Sequence, residues 1–262
     1  MIQLRDVAHP YNNKSKEPKG FMALNTKSLF DQIVNLLPGP FRVFVKSFAV
    51  RFDKSPIDSV ERLIDFTHTR SSYVGQTALF GYLKARMGTS YRQIFEDATF
   101  SRAIQVSAVR SFTSCLSDFT IHAVARVARD ADLTPAEAFG LACAVYEEGL
   151  RRGLSSVDSA IHPHDAMQQF RDRVRDVSWA GAALSLDIFE QSGADLISSA
   201  PVIDEFKDLD REIVMNSVRF RWNNHRAQLA QRLDAAAIAA DWRAAAPPSP
   251  GGDAPAVAAE GT

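Results

Sequence analysis

Residues 102–130 read RAIQVSAVRSFTSCLSDFTIHAVARVARD. Val106, Val109, Phe112, Leu116, Phe119, Ala123 and Val127 recur along this run at steps of three and four. At 3.6 residues per turn they share one stripe of a helix. Neither proline nor glycine interrupts the run, so the helix can continue for roughly 40 Å. A segment of this kind predicts an all-α protein.

The flanking chain repeats the same signals. Downstream, Thr134-Pro135-Ala136-Glu137 supplies a cap, a proline suited to the first turn and an acid placed to reach back, and the helix it opens extends to Gly153. His162-Pro163 interrupts the chain. The next helix carries Ala166, Phe170, Val174, Val177, Gly181, Leu184 and Ile188 and ends near Gly193. Pro201 opens a last long helix with Val202, Phe206, Leu209 and Ile213 on its apolar stripe, then Leu229, Leu233 and Ala236, with a bend expected at Asn223-Asn224. Upstream, Ser55-Pro56-Ile57-Asp58 reads as a helix start. Its stripe is Ile57, Val60, Ile64, Thr67, Ser71, Val74 and Ala78, and it stops at Gly88. A short helix is expected around Tyr91–Ala98.

Nearer the N-terminus, Asn25 or Thr26 caps a helix bearing Leu29, Phe30, Ile33, Val34, Leu36 and Leu37, which Pro38-Gly39-Pro40 breaks. Residues 1–24 read as a disordered leader. Met22 stands just ahead of the first helical pattern, so residues 1–21 read as an extended start. Residues 246–262 are Ala, Pro and Gly with few large side chains and read as a disordered tail. The expectation is a multi-helix bundle of about seven helices forming a single domain over 25–245.

Composition narrows function mostly by exclusion. The 262 residues carry a net charge of −1, without the basic surplus of a dedicated nucleic-acid binder. Charge is uneven, however: residues 1–54 hold nine Lys/Arg against four Asp/Glu. The two cysteines, Cys115 and Cys143, lie far apart in apolar helical contexts. They read as buried reduced thiols rather than a disulfide or nucleophiles, in keeping with a cytoplasmic setting. A nucleophile elbow, a phosphate loop, a dinucleotide-binding glycine turn and an H-E-x-x-H motif are all missing from the sequence.

Four constellations bear on function. His162-Pro163-His164-Asp165 contains an adjacent His-Asp pair, and in an all-helical chain this resembles the HD-type metal phosphohydrolases, where bound metal activates water. The resemblance implies His164 and Asp165 as ligands of a divalent metal, with His122 upstream and Asp204 or Asp208 downstream. The plainer reading places His164 or Asp165 at a helix start as a cap. Asp65-x-x-His68 and Asp118-x-x-x-His122, with Glu96 and Glu147, resemble the carboxylate–histidine sets of ferritin-like dimetal bundles. They depart from that pattern in having Asp for Glu and one spacing of four. The plainer reading is intrahelical pairing.

Residues 41–52, FRVFVKSFAVRF, contain no acid. As a helix they set Phe41, Phe44 and Phe48 beside Arg42, Lys46 and Arg51, a composition suited to an anionic membrane surface or to a partner. In residues 219–226 cations and aromatics interleave, and Trp222 is placed to anchor a partner protein. The leading expectation is a non-enzymatic interaction or scaffold protein without a cofactor. It would bind a protein partner or self-associate through its C-terminal helix, and would touch the inner membrane face through residues 27–52. The alternative is a metal-dependent hydrolase or dimetal bundle.

Overall fold

The computed structural model describes residues 54–90 and 97–245. The expected leader, the helix over 27–37, the basic aromatic segment 41–52 with Phe41, Arg42, Phe44, Lys46, Phe48 and Arg51, and the tail lie outside the described residues. So does the expected short helix over 91–98, apart from its end.

Eight α-helices follow in order: α1 Val60–Met87, α2 Ala98–Asp130, α3 Pro135–Leu154, α4 Ala166–Arg175, α5 Trp179–Ala182, α6 Glu190–Ser199, α7 Asp204–Arg232 and α8 Ala235–Ala245. Single 3-10 turns lie at Gly88–Ser90, Ser159–Ile161 and Asp187–Phe189. Among the described residues there is no strand, and the chain is all-α as its periodicities require.

α2 forms the axis, and α1, α3, α5, α6 and α8 all pack on it. Every residue from Ser111 to Ala125 is buried, not only the expected stripe. The reason lies in side-chain size. Ser111, Thr113, Ser114, Ser117, Thr120 and Ala125 fill the other faces, and small side chains let neighbouring helices close in from all directions. Their hydroxyls need no distant partner where the helix supplies one: Thr113 Oγ1 donates to the Arg110 carbonyl at 2.9 Å.

Local signals set most helix ends. Thr134 and Glu137 form the expected capping box, with the Glu137 amide 3.2 Å from Thr134 Oγ1 and Thr134 N 2.8 Å from Glu137 Oε2. Gly88 ends α1 at φ +54°, a conformation glycine adopts without a Cβ penalty. The start of α1 differs from expectation: Ser59, not Ser55, caps it, and Asp241 Oδ2 from α8 accepts from the Val60 amide at 2.8 Å. Ile57 is instead held in extended form beside Leu233, its amide donating to the Arg232 carbonyl at 2.8 Å and its carbonyl accepting from Asp234 N at 2.9 Å. This clasp breaks the C-terminal helix into α7 and α8 at Leu233, so the break is not at Asn223-Asn224. Likewise the single helix expected over 166–193 is three pieces, α4, α5 and α6.

α7 departs most from its reading. Of the stripe Val202–Phe206–Leu209–Ile213, Val202 packs against the core and the other three do not. Phe206, Leu209, Ile213 and Phe220 are 40, 73, 70 and 77% exposed. The face turned inward instead carries Asp210, Val214, Val218, Trp222, His225 and Leu229. Trp222 is fully buried, with its ring 4.9 Å from Phe119 and 5.2 Å from Phe189 and its indole N–H donating to Ser192 Oγ at 3.3 Å. It is a core residue and offers nothing to a partner. Leu229 is also interior, so the expected Leu229/Leu233/Ala236 surface for self-association does not exist as such.

Candidate functional site

A cavity of about 660 Å³ opens between α2, α3, α4, α6 and the connection before α4. Each wall follows from an element already placed. α2 presents Arg110, Ser114 and Ser117 at steps of four and three, one face of a helix. α4 adds Phe170 and Arg173, three apart, with Gln169 beside them. α6 adds Gln191, Asp195 and Ser198. The connection adds His162, His164 and Asp165, held near α4 by the proline break. Tyr146 of α3 and Phe170 stack at 3.9 Å and 11° to form the apolar floor.

One ion pair braces the walls. Asp118 is fully buried, and Arg173 Nη1 donates to its Oδ1 at 2.7 Å. The Ser192 amide, in the first turn of α6, donates to its Oδ2 at 2.8 Å. The same guanidinium reaches Ser117 Oγ at 2.7 Å, Gln191 Oε1 at 2.6 Å and the Ile188 carbonyl at 3.0 Å. Three helices are thereby fastened at one point. Burial pushes the Asp118 carboxyl up to about 6, against the pull of Arg173 and the Ser192 hydrogen bonds.

The remaining groups face the cavity with capacity in hand. Arg110 is exposed there and has no hydrogen bond or ion pair from its guanidinium to any described residue. Asp195 accepts from Ser114 Oγ. His162 Nε2 lies 3.0 Å from the Val157 carbonyl. A carbonyl only accepts, so Nε2 is the donor of that contact. Asp165 occupies the cap position of α4 but makes no capping hydrogen bond, its carboxylate accepting from Gln169 Nε2 instead.

The structure thus brings His164 and Asp165 to one cavity and leaves His122 out of it. His122 is buried on another face of α2. Its Nδ1 lies 3.3 Å from the Ala182 carbonyl and its ring 5.3 Å from Phe189, and burial lowers its pKa to about 4. Asp204 and Asp208 do not line the cavity either. The second expected ligand set also disperses: Asp118 is committed to Arg173, His68 packs edge-on against Phe112 at 5.9 Å, and Asp65 and Glu147 are exposed. Glu96 lies outside the described residues. Among the described residues, no three His, Cys, Asp or Glu side chains converge where a metal could sit. Cys115 is buried with its thiol pushed up by burial, and Cys143 is half-buried with its thiol raised in the same way.

Arg110, Arg173, Asp195 and the α2 serines were not singled out by sequence. One signal was available: Asp118 stands mid-helix beside the apolar stripe, and a carboxylate buried there requires a cation brought by some other segment. No helix of the described residues is long and apolar enough to cross a membrane. Comparison of the chain with family models, with curated proteins and with solved structures finds no match.

Proposed function

We propose that this chain is a non-enzymatic interaction protein whose polar cavity takes a small organic anion bearing hydroxyl or amino groups. The observation that carries this reading is the pairing of an uncommitted cation with a braced polar wall. Arg110 is free to meet an anionic group, while Arg173 is fixed in place by buried Asp118. Asp165 and Asp195 accept from hydroxyl or amino groups, and Gln191, its oxygen committed to Arg173, keeps its amide N–H groups as donors. The Tyr146–Phe170 floor offers an apolar surface for the carbon skeleton. The volume falls within the range usual for small-molecule sites, about 300–1,000 Å³.

Thermal unfolding with a panel of inorganic phosphate, sugar phosphates, hydroxy acids and amino acids tests this reading. A ligand at one hundred times its dissociation constant adds about 2.7 kcal/mol to stability. The expected result is a raised midpoint for at least one panel member, lost in Arg110→Ala, with the unliganded midpoint of that variant unchanged. A panel without effect, or an effect that survives Arg110→Ala, contradicts the reading. Contact of residues 27–52 with an anionic membrane is a separate proposal that rests on sequence composition. Flotation with anionic vesicles at low salt tests it, and absence of binding there sinks it.

A further inference from the structure

The exposed apolar residues of α7 form a pattern of their own. Phe206, Ile213, Phe220 and Ala227 recur every seven residues, and Leu209, Asn216 and Asn223 recur at the same interval, three positions later. These are the a and d positions of a coiled-coil heptad, a narrow seam distinct from the inward face. Leu209, Ile213 and Phe220 are each at least 70% exposed. The positions flanking the seam just before each a residue are Glu205, Glu212, Arg219 and Arg226. Two acids are followed by two bases, one per heptad.

That order selects a partner. In an antiparallel pair of identical helices, flanking positions of this kind face each other, and a residues pack opposite d residues. Aligning α7 with a reversed copy so that Leu209 meets the partner's Phe220 sets Ile213 against the partner's Asn216. It also brings Glu212 to the partner's Arg219 and Glu205 to the partner's Arg226. Two-fold symmetry repeats each contact. A parallel pairing would instead set Glu205 toward the partner's Asp210 and bring neither arginine to an acid on the partner. The basic half has capacity to accept these partners. Arg226 has no acidic partner among the described residues and lies near Arg126, and its guanidinium stacks over Phe189 at 5.8 Å. Arg219 contacts Glu190 at 2.7 Å with its side chain 36% exposed.

We infer that the protein forms a two-fold dimer through an antiparallel pairing of α7 with α7 of a second copy. Sedimentation velocity on the full chain over a range of concentrations reads this directly. The expected result is a concentration-dependent dimer, and a monomer with unchanged helix content for Ile213→Asp combined with Phe220→Asp. Glu212→Arg and Arg219→Glu should each weaken the dimer about tenfold, since each turns two symmetry-related attractions into repulsions. The double reversal should restore it, which general apolar stickiness would not produce. A chain that is monomeric at every concentration overturns the inference. So does a monomer in which cross-linking places residues 25–52 of the same chain on the seam, or a dimer indifferent to the charge reversals.

Discussion

Replacing Arg173 by Met removes the cation from a fully buried carboxylate while keeping most of the side-chain volume. In the wild type the Asp118 carboxyl titrates at about 6. An unfolded aspartate titrates at about 3.9, so the ionised folded form already carries a cost of about 3 kcal/mol. The sign follows from the raised pKa: stability increases as pH falls from about 6 toward 4, and above pH 7 the cost is constant. Without Arg173 the favoured folded form holds a neutral Asp118. Keeping that proton costs about 4 kcal/mol at pH 7 and about 1.4 kcal/mol more for each further pH unit.

The difference from the wild type due to charge alone is therefore about 1 kcal/mol at pH 7, and it grows with pH. Loss of the Arg173 hydrogen bonds to Ser117, Gln191 and Ile188 adds about 2 kcal/mol that does not depend on pH. The expected gap is about 2 kcal/mol at pH 6 and about 4 at pH 8, the latter within the range of about 3–5 kcal/mol for a broken buried pair. Urea unfolding followed by tryptophan fluorescence at pH 6, 7 and 8 measures it. Histidine titration affects both proteins alike and cancels. Asp118→Asn combined with Arg173→Met should show a pH-independent gap. A single-variant gap equal at pH 6 and pH 8, or smaller than about 1 kcal/mol at pH 8, would refute the brace.

His122, with its pKa lowered to about 4, leaves the folded state unprotonated over a window in which the unfolded chain binds a proton, so stability falls as pH drops from about 6.5 to 4. His122→Phe should flatten that part of the acid unfolding curve by about 3 kcal/mol, and a curve of unchanged slope would show that the ring is not buried neutral. A Cβ at Gly153 would meet the Phe112 ring at 2.2 Å, so Gly153→Ala must push α3 off α2. Its expected cost is about 1–3 kcal/mol in urea unfolding, and a neutral result would mean the helices pack less closely. Thr134→Ala removes half of the capping box at an expected cost of about 1 kcal/mol, and Thr134→Ser should recover most of it.

Helix ends fixed by local chemistry, such as Thr134–Glu137 and Gly88, were legible because the chain carries their whole cause within a few residues. α2 was legible as a helix but not as the axis, since its serines and alanines look neutral in a periodicity and reveal their burial only when other helices close on them. α7 was misread because it carries two apolar stripes. Val214, Val218, Trp222 and Leu229 face inward while Leu209, Ile213 and Phe220 face out. Nothing local distinguishes them, and the choice is made by Phe119, Phe189 and Ser192, which arrive from distant segments. The same limit applies to the cavity. His164 and Asp165 were visible as a motif, and Asp118 only as one half of an intrahelical pair with His122. Arg173 lies 55 residues from Asp118, and only the packing of α4 on α2 identifies it.

The side-chain Nε–H resonances of Arg110 and Arg173, titrated with the phosphates and hydroxy acids of the panel, test the cavity most directly. A saturable shift of the Arg110 resonance is expected, with Arg173 responding as its near neighbour and Arg211, on the far part of α7, unmoved. A uniform weak response of all exposed arginines, or none at Arg110, would contradict it.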